Sequence, residues 1–198
     1  MFKVKLLLGS FLFAALLFSC AGETKKGLAK ETESKAIPDK IVLTDFEEDI
    51  GLNPYSGPQS KIEAVFTEEQ AHSGKRSLKV TQKTKDWAGV AIILPKERAD
   101  WTGLKTFRVW IYGGGSNLKF NIDIEDAKKE QFRYSFVDDF KGWKEFVIPI
   151  SDFKSRTDWQ ASDARVDGKL DFPMMTVQVA TANFGNFTLY FDDIVVEK

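Results

Sequence analysis

From Ile41 onward the chain alternates apolar and polar residues with a period of two, in short runs broken by Gly, Pro, Asn and Asp. That pattern predicts half-buried β-strands, because successive strand side chains point to opposite faces. The predicted strands are Ile41–Phe46, Ile62–Phe66, Ser77–Lys83, Trp87–Leu94, Thr106–Tyr112, Asn117–Ile124, Gln131–Val137, Trp143–Ile150, Met174–Ala182 and Phe187–Val196. In the fifth, Phe107, Val109 and Ile111 share one face, and Arg108, Trp110 and Tyr112 the other. In the sixth, Leu118, Phe120, Ile122 and Ile124 oppose Lys119, Asn121, Asp123 and Glu125. No stretch of ten or more residues carries a helical period. Many short strands at regular spacing predict an all-β fold, a sandwich of two antiparallel sheets. Residues 151–172 read as a long loop carrying Trp159. Loops of that length in a compact domain are often functional.

The first 38 residues follow different rules. Lys3 and Lys5 precede an uncharged apolar run from Leu6 to Phe18, the layout of a secretory signal. That run of 13 residues is shorter than the roughly 20 needed to span a bilayer. It leads into Leu17-Phe18-Ser19-Cys20, and Cys20 is the only cysteine of the chain. Residues 21–38 are dense in charge and poor in apolar side chains, which predicts a flexible tether. The expected organisation is a signal at 1–19, a tether at 20–38 and a β-sandwich domain at 39–198.

Charge changes the picture little. Of 28 Lys and Arg, Lys3 and Lys5 leave with the signal, so 26 basic residues face 29 acidic ones. Neither that balance nor any basic cluster points to nucleic acid. The expected domain at 39–198 contains no cysteine, so it has no thiol for a disulfide, a zinc site or a nucleophile. Trp and Tyr interleaved with carboxylates, amides and Arg on the non-core strand faces suggest a sugar-binding surface. Flat C–H faces of a pyranose pack on aromatic rings, and its hydroxyl edges need paired donors and acceptors. The candidate binding residues are Trp87, Arg108, Trp110, Tyr112, Asn121, Asp123, Glu125, Arg133 and Gln178, with Gln131 and Ser135 beside them. The alternative is a solvent-facing sheet with cross-strand ion pairs.

Asn121-Ile122-Asp123-Ile124-Glu125 places polar side chains on one face, like the acidic strand of jelly-roll endoglucanases. A retaining glycosidase needs two carboxyl groups about 5–5.5 Å apart. Asn121 stands where the first would be, so no catalysis is expected. His72, the only histidine, sits beside Ser73-Gly74 and reads as a turn residue. Gly113-Gly114-Gly115 joins two strands without a following helix, so it is a turn and not a phosphate loop.

Two resemblances add to this reading. Leu17-Phe18-Ser19-Cys20 resembles a bacterial lipobox, although Phe18 stands at a position where that motif has a small residue. It implies cleavage before Cys20, lipidation of its thiol and anchoring in the cell envelope, with the outer membrane expected. Further on come Asp45-Phe46-Glu47, His72-Ser73-Gly74-Lys75-Arg76-Ser77-Leu78, Asp100-Trp101-Thr102-Gly103, Gly142-Trp143-Lys144 and Tyr190-Phe191-Asp192-Asp193-Ile194, in that order. This order resembles the galactose-binding-like jelly rolls, nearest to family 11 carbohydrate-binding modules and the complex I intermediate-associated protein family. The resemblance implies a poly- or oligosaccharide ligand and a structural calcium ion. Its ligands would come from Asp45 or Glu47, the stretch Ser73–Lys75, and Asp192 or Asp193. The competing readings are acids that simply end strands, and a module that binds an envelope protein partner.

Overall fold

The computed structural model describes residues 36–181 and 184–198. The signal, Cys20 and all but the end of the tether lie outside the described residues. The compact unit Ala36–Lys198 contains twelve strands. They are β1 Lys40–Thr44, β2 Leu52–Ser56, β3 Lys61–Thr67, β4 Ser77–Thr84, β5 Ala88–Ile93 and β6 Thr106–Gly114. The second half holds β7 Lys119–Glu125, β8 Gln131–Val137, β9 Lys141–Pro149, β10 Lys154–Ser155, β11 Thr176–Thr181 and β12 Gly185–Glu197. The only helical pieces among the described residues are 3-10 turns at Lys96–Arg98 and Ile150–Asp152.

The strands form two six-stranded antiparallel sheets. Sheet A runs β3-β4-β12-β6-β9, with β1 added beside the C-terminal half of β12. Sheet B runs β10-β8-β7-β11-β5-β2. The all-β two-sheet sandwich expected from the alternation is the fold observed, and each of the ten expected strands has its counterpart.

The core lies between the sheets and is filled by the faces the alternation assigned to it. Phe107, Val109 and Ile111 of β6 meet Phe120, Ile122 and Ile124 of β7 there, all almost fully buried. Side chains of this size contribute about 1.5–3 kcal/mol each when removed from water. Trp101 is fully buried, and its indole N–H donates to the Arg98 carbonyl at 3.0 Å, so burial leaves no polar group unpaired.

The last strand changes its facing part-way. Phe187, Leu189 and Phe191 point inward, and then Ile194 and Val196 do. A bulge between Asp192 and Val195 inserts the extra residue that flips the parity, with Asp193 at a left-handed φ of 47°. The bulge turns the Asp192 carboxylate into the protein, where it is fully buried.

Candidate functional site

The outer face of sheet B is polar and its side chains are tied to one another. Pairing aligns Arg133 of β8, Asp123 of β7 and Gln178 of β11 in one row across the sheet. Glu125 aligns with Gln131 and Thr176, and Asn121 with Ser135 and Ala180. Period-two alternation puts all of them opposite the core. Asp123 is fully buried even so, because guanidinium groups cover it. Arg133 donates Nε to Asp123 Oδ1 at 2.7 Å and Nη2 to Oδ2 at 2.8 Å. Arg156, just after β10, donates Nη1 to Asp123 Oδ2 at 3.2 Å and to Gln131 Oε1 at 2.7 Å. Both arginines also reach Asp158, at 3.0 and 2.9 Å. The hydrogen bond from Arg156 holds the Asp158 carboxyl below the usual aspartate range.

Two carboxylates thus alternate with two guanidiniums, and the charge of the group cancels. Arg133 makes three described hydrogen bonds out of the five that its fork can donate. Pinned forks of this kind offer fixed donors to a ligand at little entropic cost.

Rings flank this network. Tyr55 of β2 crosses over β5, and its hydroxyl donates to Gln178 Oε1 at 2.8 Å. Burial, followed by the charge of Asp123, pushes that phenol well up. The crossing depends on Gly89, where a Cβ would lie 2.5 Å from the Tyr55 oxygen and 2.6 Å from Cζ. Trp87, half exposed, lies with its ring centroid 6.2 Å from that of Tyr55. On the far side Trp159, also half exposed, carries the Arg156 guanidinium 5.5 Å from its ring centroid. Gln178 Nε2 donates to Thr176 Oγ1 at 3.0 Å, and Gln131 Nε2 to Glu125 Oε2 at 3.1 Å. Ser135 donates to Asn121 Oδ1 at 2.8 Å.

The loop that brings Arg156, Asp158 and Trp159 is fastened by buried acids. Glu130, fully buried, accepts the backbone N–H groups of Asp167 and Gly168 at 2.8 and 3.0 Å, and the Ser155 hydroxyl. Asp126, also fully buried, accepts N–H from Lys128, Glu130 and Asp171, while burial pushes its carboxyl up. Gln160 exchanges both bonds with the backbone of Gln131, at 2.8 and 3.0 Å.

Six expected binding residues therefore lie on one surface: Trp87, Asn121, Asp123, Glu125, Arg133 and Gln178. The other three do not. Arg108, Trp110 and Tyr112 belong to β6 in sheet A and point out from the opposite side of the sandwich. Alternation fixes which residues avoid the core, but each sheet has its own outer face. Tyr55 and Arg156 were not expected. Pro54 and the turn residues around it hide β2, although an edge strand tolerates proline and β2 is an edge. Strand β10 is two residues long and leaves no periodic signal.

The expected calcium ligands gather at one corner. Glu47 Oε1 accepts the N–H groups of Lys75 and Arg76 at 2.8 and 2.7 Å, which holds its carboxyl low. Asp192 Oδ2 accepts N–H from His72 and Ser73 at 2.8 and 3.2 Å. Asp193 accepts the His72 ring N–H at 2.7 Å and the Ser73 hydroxyl at 2.8 Å. Asp45 Oδ1 accepts the N–H of Glu47 at 3.2 Å, and Arg76 caps the Phe46 carbonyl. Hard carboxylate oxygens are the donors calcium takes. Here they are committed to protein donors, and among the described residues no group of three or more acid, His or Cys side chains converges to hold a metal.

A family model described as "Carbohydrate binding domain (family 11)" matches residues 32–196. The chain belongs to that family. Solved structures agree on the fold. A family 11 module from Clostridium thermocellum, in complex with a β-1,3-1,4-mixed-linked tetrasaccharide, superposes with a TM-score of 0.67 at 23% identity. The match covers 80% of this chain and 95% of that one. A family 30 module from a C. thermocellum cellulosomal cellulase gives a TM-score of 0.59 at 12% identity, over 80% and 97% of the two chains. A curated relative, a mannan endo-1,4-β-mannosidase of Bifidobacterium adolescentis, is 24% identical over 130 residues. That stretch is 65% of this chain but 13% of the mannosidase.

Proposed function

We propose that the chain binds a neutral poly- or oligosaccharide on the outer face of sheet B, without chemistry of its own, as a lipoprotein of the cell envelope. The observation that carries the binding reading is the charge-cancelled group Asp123–Arg133–Arg156–Asp158, flanked by Tyr55, Trp87 and Trp159 in a family 11 fold. Fixed donors and acceptors suit hydroxyl edges, and the half-exposed indoles suit pyranose faces. The network balances its own charge, which favours a neutral ligand over an acidic one. Glu125, the remaining carboxylate of the face, accepts from Gln131, and the carboxylate two residues before it on β7, Asp123, is fully buried under Arg133 and Arg156, which leaves no free pair of acids for glycoside hydrolysis.

Affinity electrophoresis of the full chain through gels cast with neutral β-glucans or β-mannan tests the reading. Retardation in at least one gel is expected, and it should be lost in a Tyr55→Ala/Trp87→Ala variant. Free migration through all of them would replace the glycan by a protein partner. The anchor is tested separately: Cys20→Ala should move the protein from the membrane to the soluble fraction without changing its fold. The calcium expectation belongs to the Glu47–Asp192 corner. What supports it is that Glu47, Asp192 and Asp193 all gather around the turn His72–Arg76, each accepting from it. A chelator should then lower the melting temperature and calcium restore it. An unchanged melt, with no metal by elemental analysis, removes the ion.

A further inference from the structure

The residues that fall on the wrong side of the sandwich are not scattered. On the outer face of sheet A a depression of about 540 Å³ is walled by Trp110, Arg108, Glu145, Glu197 and Asp193. That volume is within the range of small-ligand sites, roughly 300–1,000 Å³. The Trp110 ring is held in place: the His72 imidazole stacks on it at 3.7 Å between centroids, 14° from parallel. His72 is itself fixed through its bond to Asp193 and an edge contact with Trp143 at 5.7 Å. Arg108 is fixed in the same way, donating Nε to Glu145 at 2.9 Å and Nη1 to Glu197 at 2.9 Å.

We infer that this depression is a second saccharide site, for a neutral oligosaccharide, on the face opposite the first. The inference rests on the glycan-binding reading of the domain. Its own support is that the chemistry of sheet B recurs: an immobilised indole beside a guanidinium pinned between two carboxylates, around a concavity. A plain cross-strand ion pair needs neither the ring buttress nor the concavity. Four carboxylates against two cations line the depression, and a calcium ion at its Asp45–Asp193 end would bring that balance to zero, so with or without the ion nothing there attracts an acidic sugar and a neutral one is the class that fits. Two sites on opposite faces would let one domain bridge two chains of a polysaccharide, and avidity would then exceed either affinity.

Calorimetric titration of the full chain in detergent separates the cases. The probes are the mixed-linked β-1,3-1,4 tetrasaccharide and mannotetraose, with trigalacturonate as the acidic control. Two equivalents of a neutral probe are expected. The Tyr55→Ala/Trp87→Ala variant should keep one of them, and adding Arg108→Ala should weaken the one that remains about tenfold or more. Arg108→Lys keeps the charge and loses the fork, so it should show the same loss with the fold intact. One equivalent that disappears in Tyr55→Ala/Trp87→Ala overturns the second site and leaves the first standing. Binding that survives that variant but falls entirely with Arg108→Lys keeps this site and overturns the assignment to sheet B. No neutral probe bound at all overturns both, and trigalacturonate binding to the residual site overturns the ligand class.

Discussion

Removing the Asp123 carboxylate is the sharpest perturbation of the sheet B network. The side chain is fully buried and accepts three charge-assisted hydrogen bonds, at 2.7, 2.8 and 3.2 Å. Charged hydrogen bonds are worth roughly 1.5–3 kcal/mol each, but three taken together would overshoot, because partners in one network are not additive. In the Asp123→Ala protein Arg133 and Arg156 keep Asp158, which is 57% exposed and so a weaker partner. The better guide is the cost of stripping one partner from a buried ion pair, about 3–5 kcal/mol. For a domain of this size about 2–4 °C of melting temperature goes with each kcal/mol, so the drop should be roughly 6–20 °C. Urea unfolding followed by tryptophan fluorescence measures it. The double variant Asp123→Ala/Arg133→Met should be less destabilised than the two single changes combined, by about 1.5 kcal/mol or more, since neither charge is then left alone. A loss below about 1 kcal/mol for Asp123→Ala, or simple additivity in the double variant, would refute the idea that Asp123 is the buried anchor of these arginines.

Other outcomes follow from the same geometry. Gly89→Ala should displace the Tyr55 ring, whose Cζ would lie 2.6 Å from the new Cβ, and weaken saccharide binding in a titration while leaving core packing intact. Trp87→Ala should weaken binding with little change in the melt, because the side chain is half exposed. Glu130→Ala strands two backbone N–H groups and should speed tryptic cleavage at Arg165 and Lys169 well before global unfolding. Asp158 has a lowered folded value, so its contribution is present above the ordinary aspartate value of 3.8 and is lost as the pH falls through the lower folded one. Wild type and Asp158→Asn should therefore differ in stability at neutral pH and converge in acid, as paired melts would show.

Alternation in the sequence revealed the sandwich because half of each strand must meet the core. The same rule puts Asp123, Glu125 and Gln178 outward, while the pairing of Asp123 with Arg133 is set by the register of β7 on β8. It could not say which sheet a strand joins, and so Trp110 was grouped with Trp87 although β6 and β5 lie in different sheets. Tyr55 escaped because Pro54 marks a strand only at an edge, and edges are a tertiary property. Arg156 and Glu130 escaped for another reason. Their roles arise where a loop closes on a sheet, through contacts such as Glu130 with Gly168 that no local period encodes.

The five tryptophans give the most direct test of the sheet B assignment, since each indole N–H is a separate signal in a nitrogen–proton NMR spectrum of the full chain. Trp87 and Trp159 flank the network, Trp110 and Trp143 lie on sheet A, and Trp101 is in the core. Titration with the mixed-linked tetrasaccharide, or with mannotetraose, should shift Trp87 and Trp159 saturably together with the Arg133 side-chain N–H, and leave Trp101 in place. Saturable binding that moves neither Trp87 nor Trp159, or no shift with either sugar, would contradict saccharide recognition on this face.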